Sequence, residues 1–315
     1  MLATLQPFKS VPLRAIFPSS WTVVLLTSGS APKDVYLRPA AVVCVWFHSI
    51  SAHPDTLCAA QGNHVFLGPK SSSTFKDSGM PFNVTYGTGQ VAGDIISDNI
   101  NLAGLALDQH VFGVSLVESP DFTVGVPFDG LMGLAQSTLS NQGVLTPVEA
   151  LAKQGLITEA ITSYKISRAS DGLNDGEITF GGLDESKFDP NTLVTVDNLS
   201  PIGFWEAAFT VSVNGQDLGL NNRTAILDTG TTLVIAPPDD ATALHAMIPG
   251  SQSDGQGNFI IPCTNDAVVS LTMGGQNFDI NPVDLLFIPV DPNNLQGDCF
   301  SGISSGQIGG PQLWL

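Results

Sequence analysis

Between Pro81 and Val114 apolar and polar side chains alternate, with glycines where the alternation breaks. That period of two predicts a run of antiparallel strands joined by tight turns. Beyond Thr146 the period changes. Val148, Leu151 and Ala152 fall on one face of a helix, Thr146 can cap its first turn, and Glu149 completes a capping box. Pro147 takes the first helical position and Gly155 ends the helix. Strand-like alternation then returns, with a hairpin over Phe204-Trp205-Glu206 and Val211-Ser212-Val213-Asn214-Gly215 and a strand-turn-strand pattern centred on Gly274-Gly275. A second, shorter helix is expected from Pro238 to Ile248, closed by Pro249-Gly250.

One stretch breaks both periods. In Ala225-Ile226-Leu227-Asp228-Thr229-Gly230-Thr231-Thr232-Leu233-Val234-Ile235-Ala236-Pro237 a single carboxylate stands between two apolar runs. The runs read as buried strands, and Gly230 allows the sharp turn between them. An ionised Asp is expensive to bury without partners, so Asp228 needs donors nearby, which Thr229 and Thr231 can supply. The bland reading is an ordinary Asp-Thr-Gly turn.

Composition narrows the classes. The chain has 315 residues, 43% of them hydrophobic, enough to bury a core in one large or two ordinary domains. Its 11 Lys and Arg against 29 Asp and Glu give a net charge of -18, which repels polyanions and argues against nucleic acid or an anionic membrane as partner. The four cysteines form no C-x-x-C, and neither they nor the five histidines show metal-ligand spacing, so no metal is expected. No segment reads as a membrane span. Met1 to Lys9 lacks an apolar core, and Trp21 to Leu26 is too short and too far in for an ordinary secretion signal. Gly87-Thr88-Gly89-Gln90-Val91-Ala92 satisfies the dinucleotide fingerprint G-x-G-x-x-A, but Gly93-Asp94-Ile95-Ile96 continues as strand where a helix should open, so that reading is rejected.

The Asp228 stretch resembles the second active-site loop of the pepsin-like aspartic proteases, in their secreted fungal branch. Phe82-Asn83-Val84-Thr85-Tyr86-Gly87-Thr88-Gly89 is similar to that family's flap hairpin. Phe128-Asp129-Gly130-Leu131-Met132-Gly133-Leu134-Ala135 is similar to the glycine loop supporting the first active-site motif, and Asp175-Gly176-Glu177-Ile178-Thr179-Phe180-Gly181-Gly182 to the passage between lobes. The likeness runs from about Asn63 to Leu315. It implies a mostly β, bilobal fold with an interlobe cleft: an irregular segment over residues 1–60, an N-terminal lobe with the flap over 61–183, and a C-terminal lobe over 184–315. It also implies a disulfide between Cys263 and Cys299, hence an oxidising compartment, while Cys44 and Cys58 are either a second bond or free thiols.

The resemblance fails at both ends. Where the family carries a first Asp-Thr-Gly-Ser, the nearest string is Leu26-Thr27-Ser28-Gly29-Ser30-Ala31, with Thr27 at the catalytic position; a misjoined coding segment or genuine loss of the Asp explains it equally. After Gln312-Leu313-Trp314-Leu315 the family continues with a glycine loop and a closing strand. The implied activity is cleavage of protein or peptide substrates at acid pH by a monomeric, cofactor-free enzyme, extracellular or vacuolar. Asp228 is the visible half of its carboxylate pair; Tyr86, Gly87, Thr88, Gly230 and Thr231 contact substrate, Tyr86 facing Asp228 across the cleft. The alternative is a non-catalytic protein on the same scaffold that holds peptide or protein without cutting. Asn83, Asn198 and Asn222 each begin an Asn-X-Ser/Thr sequon, with Asn83 beside the flap strand.

Overall fold

The computed structural model describes residues 67–86, 89–122, 130–166 and 175–315. They form two compact units, one ending at Ala160 and the other running from Ile161 to Leu315.

In the first unit, β1 (Lys76–Thr85), β2 (Gln90–Leu102) and β3 (Leu105–Glu118) make one antiparallel sheet in chain order. Alternation puts Ile96, Ile100 and Leu102 of β2 inside, Ile96 packing with Leu67 and Val114, while Val91, on the far side of an irregular step at Ala92–Gly93, packs with Val84 and Phe122. Gln90, Val91 and Ala92 of the rejected dinucleotide fingerprint lie on β2, in strand and not in helix. Gly93 is needed for another reason: a Cβ there would stand 1.9 Å from the Val114 carbonyl oxygen, so β2 and β3 can approach at this irregular step only over a bare backbone. Asp98 is buried on β2. Its Oδ1 accepts from Ser72 Oγ (2.9 Å), from Thr74 Oγ1 and from the Asn99 backbone N–H (2.8 Å), which pins the polar Ser-Thr stretch to the sheet.

Helix α1 spans Pro147–Lys153, with Pro147 in its first turn. Both arms of the capping box form: the Glu149 N–H donates to Thr146 Oγ1 (3.3 Å), and the Thr146 N–H to Glu149 Oε2 (2.9 Å). Glu149 also accepts from the Ser137 N–H at 3.1 Å, so one carboxylate ties the helix start to the preceding loop.

The second unit opens with the hairpin β4 (Thr162–Lys165) and β5 (Glu177–Phe180). Its main sheet is built on β6 (Glu206–Val213), whose Ala207, Phe209, Val211 and Val213 face the core at strict period two. Asn214 and Gly215, both at positive φ, turn the chain into β7 (Gln216–Asp217), a primed hairpin turn whose twist suits its strands. β8 (Arg223–Ile226) pairs antiparallel with β6 farther along the edge that β7 takes, and the chain continues through the Asp228 loop to β9 (Val234–Ala236) and α2 (Pro238–Ala246). A smaller sheet contains β10 (Gln252–Ser253) and β11 (Phe259–Pro262). β12 (Val269–Met273) and β13 (Gln276–Ile280) extend the main sheet through the expected Gly274-Gly275 turn. β14 (Leu286–Pro289) and β15 (Asp298–Ser301) complete the smaller sheet. Cys263 and Cys299 are bonded, with Cα atoms 5.0 Å apart, stapling β15 to the end of β11.

β16 (Ile303–Ser305) runs parallel to β9, and β17 (Leu313–Trp314) parallel to β8. The final residues thus lie against both strands that frame the Asp228 loop: Ile235 and Leu315 exchange backbone hydrogen bonds of 2.8 and 3.0 Å. Trp314 is buried edge-on against Phe209, ring centroids 5.2 Å apart.

Candidate active site

Asp228 stands two residues beyond the end of β8, after Leu227. Its strand is held by the Leu227 N–H donating to the Trp205 carbonyl at 2.8 Å, so the carboxylate projects from the end of a paired strand rather than from a free loop. Gly230 closes the turn: its N–H donates to Asp228 Oδ1 at 2.8 Å, a contact two residues along that only a sharp bend permits. Thr231 Oγ1 donates to Oδ2 at 2.6 Å. Each carboxylate oxygen has a short donor, and both donors come from the residues that follow Asp228 in sequence.

The electrostatics are a contest. Burial penalises the charged form of Asp228, while Thr231 and then Gly230 stabilise it. Burial wins, so the carboxyl is raised above the ordinary range. Tyr164, on β4, feels the same group: its own burial and then the Asp228 charge hold its phenol well above the usual value. Neither periodicity nor motif pointed to Tyr164, because its strand is remote in sequence and carries no turn signal.

Asp228, Gly230 and Thr231 therefore come together as one constellation. Tyr86 belongs to the first unit, where it follows β1. Its N–H donates to the Gly89 carbonyl at 2.6 Å, closing the hairpin tip. Its ring meets Phe122 edge-on at 5.2 Å, and burial pushes its phenol up to about 12. Tyr86 also lines an apolar cavity of about 160 Å³ with Phe82, His110, Phe112 and Leu131. Gly87, Thr88, Thr27, Cys44, Cys58, Phe128 and Asp129 lie outside the described residues. Among the described residues no cluster of His, Cys, Asp and Glu could hold a metal ion, and no helix is long and apolar enough to cross a membrane.

A sequence model of the eukaryotic aspartyl protease family matches residues 44–313. The chain belongs to that family. Among its aspartyl protease relatives, a "Probable aspartic-type endopeptidase CTSD" of Arthroderma benhamiae is 36% identical over 263 residues, 83% of this chain and 50% of the relative. The "Aspartic-type endopeptidase ctsD" of Aspergillus fumigatus is 35% identical over 263 residues, 83% of this chain and 54% of the relative. Rhizopuspepsin-1 of Rhizopus niveus is 36% identical over 268 residues, 83% of this chain and 65% of the relative. The chain spans about half the length of the Arthroderma and Aspergillus aspartyl proteases. The match explains the Asp228 loop and the mostly β architecture together, since both are features the resemblance implied.

Two arrangements next to the site escaped the sequence reading. Asp240, in the first turn of α2, is buried and accepts from Arg223 Nε (2.6 Å) and Nη2 (2.8 Å) and from the Trp314 indole N–H (2.9 Å). Burial opposes its ionisation, but the Arg223 and Trp314 hydrogen bonds and the guanidinium charge outweigh that and hold the carboxyl below the usual range. His245, one turn on, stacks on Phe259 with ring centroids 3.8 Å apart. Its Nδ1 lies 2.7 Å from the Ala241 carbonyl, which can only accept, so the proton is on Nδ1 and Nε2 accepts from Ser301 Oγ at 2.9 Å. Burial lowers its pKa to about 4.

Proposed function

We propose that this chain is an aspartic-type endopeptidase of the fungal kind, acting on protein substrates in an acid, extracellular or vacuolar setting, with Asp228 as one of two catalytic carboxylates. The observation that carries the reading is the Asp228 carboxylate itself: half-buried, raised by burial, and held by Gly230 N–H and Thr231 Oγ1 at the end of a paired strand. Two such carboxylates side by side cannot both ionise cheaply, so they share a proton. The ionised one takes a proton from water as it attacks the peptide carbonyl, and the protonated one hydrogen-bonds the carbonyl oxygen. An extended peptide would take main-chain hydrogen bonds from the hairpin tip at Tyr86, Gly87 and Thr88, and contacts from Gly230 and Thr231. With a net charge of -18 the protein suits neither a nucleic acid nor an anionic membrane partner, and it works as a monomer.

A second reading, a peptide-holding protein that does not cut, is favoured by one feature: Asp228-Thr229-Gly230 is the sequence's single Asp-Thr-Gly, and Thr27 stands where the resemblance requires its counterpart. A threonine hydroxyl cannot serve as general base in acid. The literal chain is therefore expected to cleave weakly, because the members of a catalytic pair act as a unit.

The test compares the literal chain with Thr27→Asp/Ser28→Thr, which writes Asp-Thr-Gly-Ser into positions 27–30, on denatured protein at about pH 3 to 5. Asp228→Asn in each background is the control. Cleavage gained by the double substitution and lost with Asp228→Asn supports the endopeptidase. A double variant that binds peptide but never cleaves overturns it in favour of the holding reading. Strong cleavage by the literal chain that Asp228→Asn abolishes means another carboxylate supplies the second half.

A further inference from the structure

The three sequons play no part in the candidate site, and the fold treats their acceptor amides differently. Asn198 is half-buried and committed. Its Nδ2 donates to the Phe204 carbonyl at 2.8 Å, and its Oδ1 accepts from the Ser200 and Glu206 N–H groups at 3.1 Å each, so this side chain closes the turn leading into β6. A branched sugar on that nitrogen would have to leave through the turn it holds shut. Asn83 is exposed but lies inside β1, in register with Ala92 and three residues before Tyr86.

Asn222 differs from both. It is exposed, sits between β7 and β8 with φ at +56°, and its amide makes no hydrogen bond to a described residue. Asparagine tolerates that left-handed conformation better than most residues. Its neighbours are spoken for: Asn221 Nδ2 donates to the Gly219 carbonyl at 3.2 Å, and the Arg223 guanidinium turns inward to Asp240. Thr224 supplies the sequon hydroxyl, and its backbone N–H is already paired with the Gln312 carbonyl at 3.2 Å, so the acceptor is mounted on a paired strand.

We propose that Asn222 is an N-glycosylation site, receiving an oligosaccharide from a lipid pyrophosphate-linked donor. In that transfer the Asn222 Nδ2 forms a bond to the sugar's anomeric carbon as the bond from that carbon to the pyrophosphate oxygen breaks. The electron pair stays with the pyrophosphate and one amide proton is released to it, with no change of oxidation state. The glycan projects from the open turn without displacing a hydrogen bond, as a bulky solubilising group must. The site rests on the secretory route of the proposed function, and the experiment supplies that route independently.

The full 315-residue chain, placed behind a cleavable secretion signal, is translated in the presence of microsomes and then treated with an N-glycosidase in heavy-oxygen water, which converts each glycosylated Asn to a labelled Asp. The label is expected at position 222. Asn222→Gln and Thr224→Ala should each remove one glycan from the mobility pattern, Thr224→Ser should restore it, and Asn198→Gln should leave the pattern unchanged. Because the label is assigned to each asparagine separately, a change at one sequon does not mask the state of the others. An unlabelled Asn222 peptide overturns the proposal, and so does Asn198 labelled in place of Asn222. Loss of the glycan in all these cases is read without any protease assay, so its failure is separable from that of the proposed activity.

Discussion

The indole N–H of Trp314 donates to Oδ2 of Asp240 at 2.9 Å, joining residues 74 positions apart in a buried contact. The same carboxylate holds Arg223 through two hydrogen bonds, so β8, α2 and β17 meet at one charge. β8 leads straight into the Asp228 loop, and the Arg223–Asp240–Trp314 cluster fixes where that loop begins.

Removing the shared acceptor should therefore be costly. Asp240→Ala leaves the Arg223 charge largely buried and the indole without an acceptor, and the expected loss is about 3–5 kcal/mol of stability. Denaturant unfolding would show it as a lower midpoint at unchanged slope. A loss under about 1 kcal/mol would mean that the cluster is screened like a surface pair.

At the site, Thr231→Val removes the donor on Oδ2 of Asp228 while keeping the side chain's shape. That bond stabilises the ionised carboxylate, so its loss should raise the Asp228 pKa further. Carboxyl-carbon NMR titration of the protein labelled at Asp reads the shift, and Thr231→Ser should restore the original value. A titration unmoved by Thr231→Val would remove Thr231 from the constellation.

His245 sets an acid limit. Its folded-state pKa of about 4 lies below the ordinary 6.5, so between those values the unfolded chain binds a proton that the folded chain refuses. Stability should fall as pH drops from about 6.5 toward 4 and level off below, by up to about 3 kcal/mol from this group alone. Asp228 acts in the opposite sense, since its folded pKa is raised and its contribution is lost as pH rises. His245→Phe should flatten the acid limb by about one proton in urea titrations between those pH values. An unchanged limb would place the loss elsewhere.

Ala103 carries a φ of +51° beside Gly104 in the two-residue turn joining β2 to β3. A primed hairpin turn favours asparagine there, and alanine holds a conformation that costs roughly 1–2 kcal/mol. Ala103→Asn should raise stability by about 0.5–1 kcal/mol, seen as a higher denaturation midpoint. A destabilised Ala103→Asn would mean that the turn owes its shape to packing rather than to backbone preference.

The sequence by itself determined the local elements and the chemistry of one loop. Alternation over Pro81 to Val114 predicted the strands of the first unit, the Thr146–Glu149 spacing predicted a capping box, and the hydroxyls of Thr229 and Thr231 were the expected partners of Asp228, of which Thr231 donates to it beside the Gly230 N–H. These signals are short-range: strand period, capping geometry and donors within three residues operate between neighbours in the chain. The tertiary structure decided the rest. Asp239 and Asp240 are equivalent in the sequence, yet Asp240 is buried against Arg223 and Trp314 while Asp239 stays exposed. His245 carries no motif, and its tautomer and depressed pKa come from Ala241, Phe259 and Ser301, the last of them 56 residues away. Tyr164 is tuned by a carboxylate 64 positions on only because two strands bring them into range. Burial and charge act through space at a few ångströms, and only the folded chain settles which distant residues come that close.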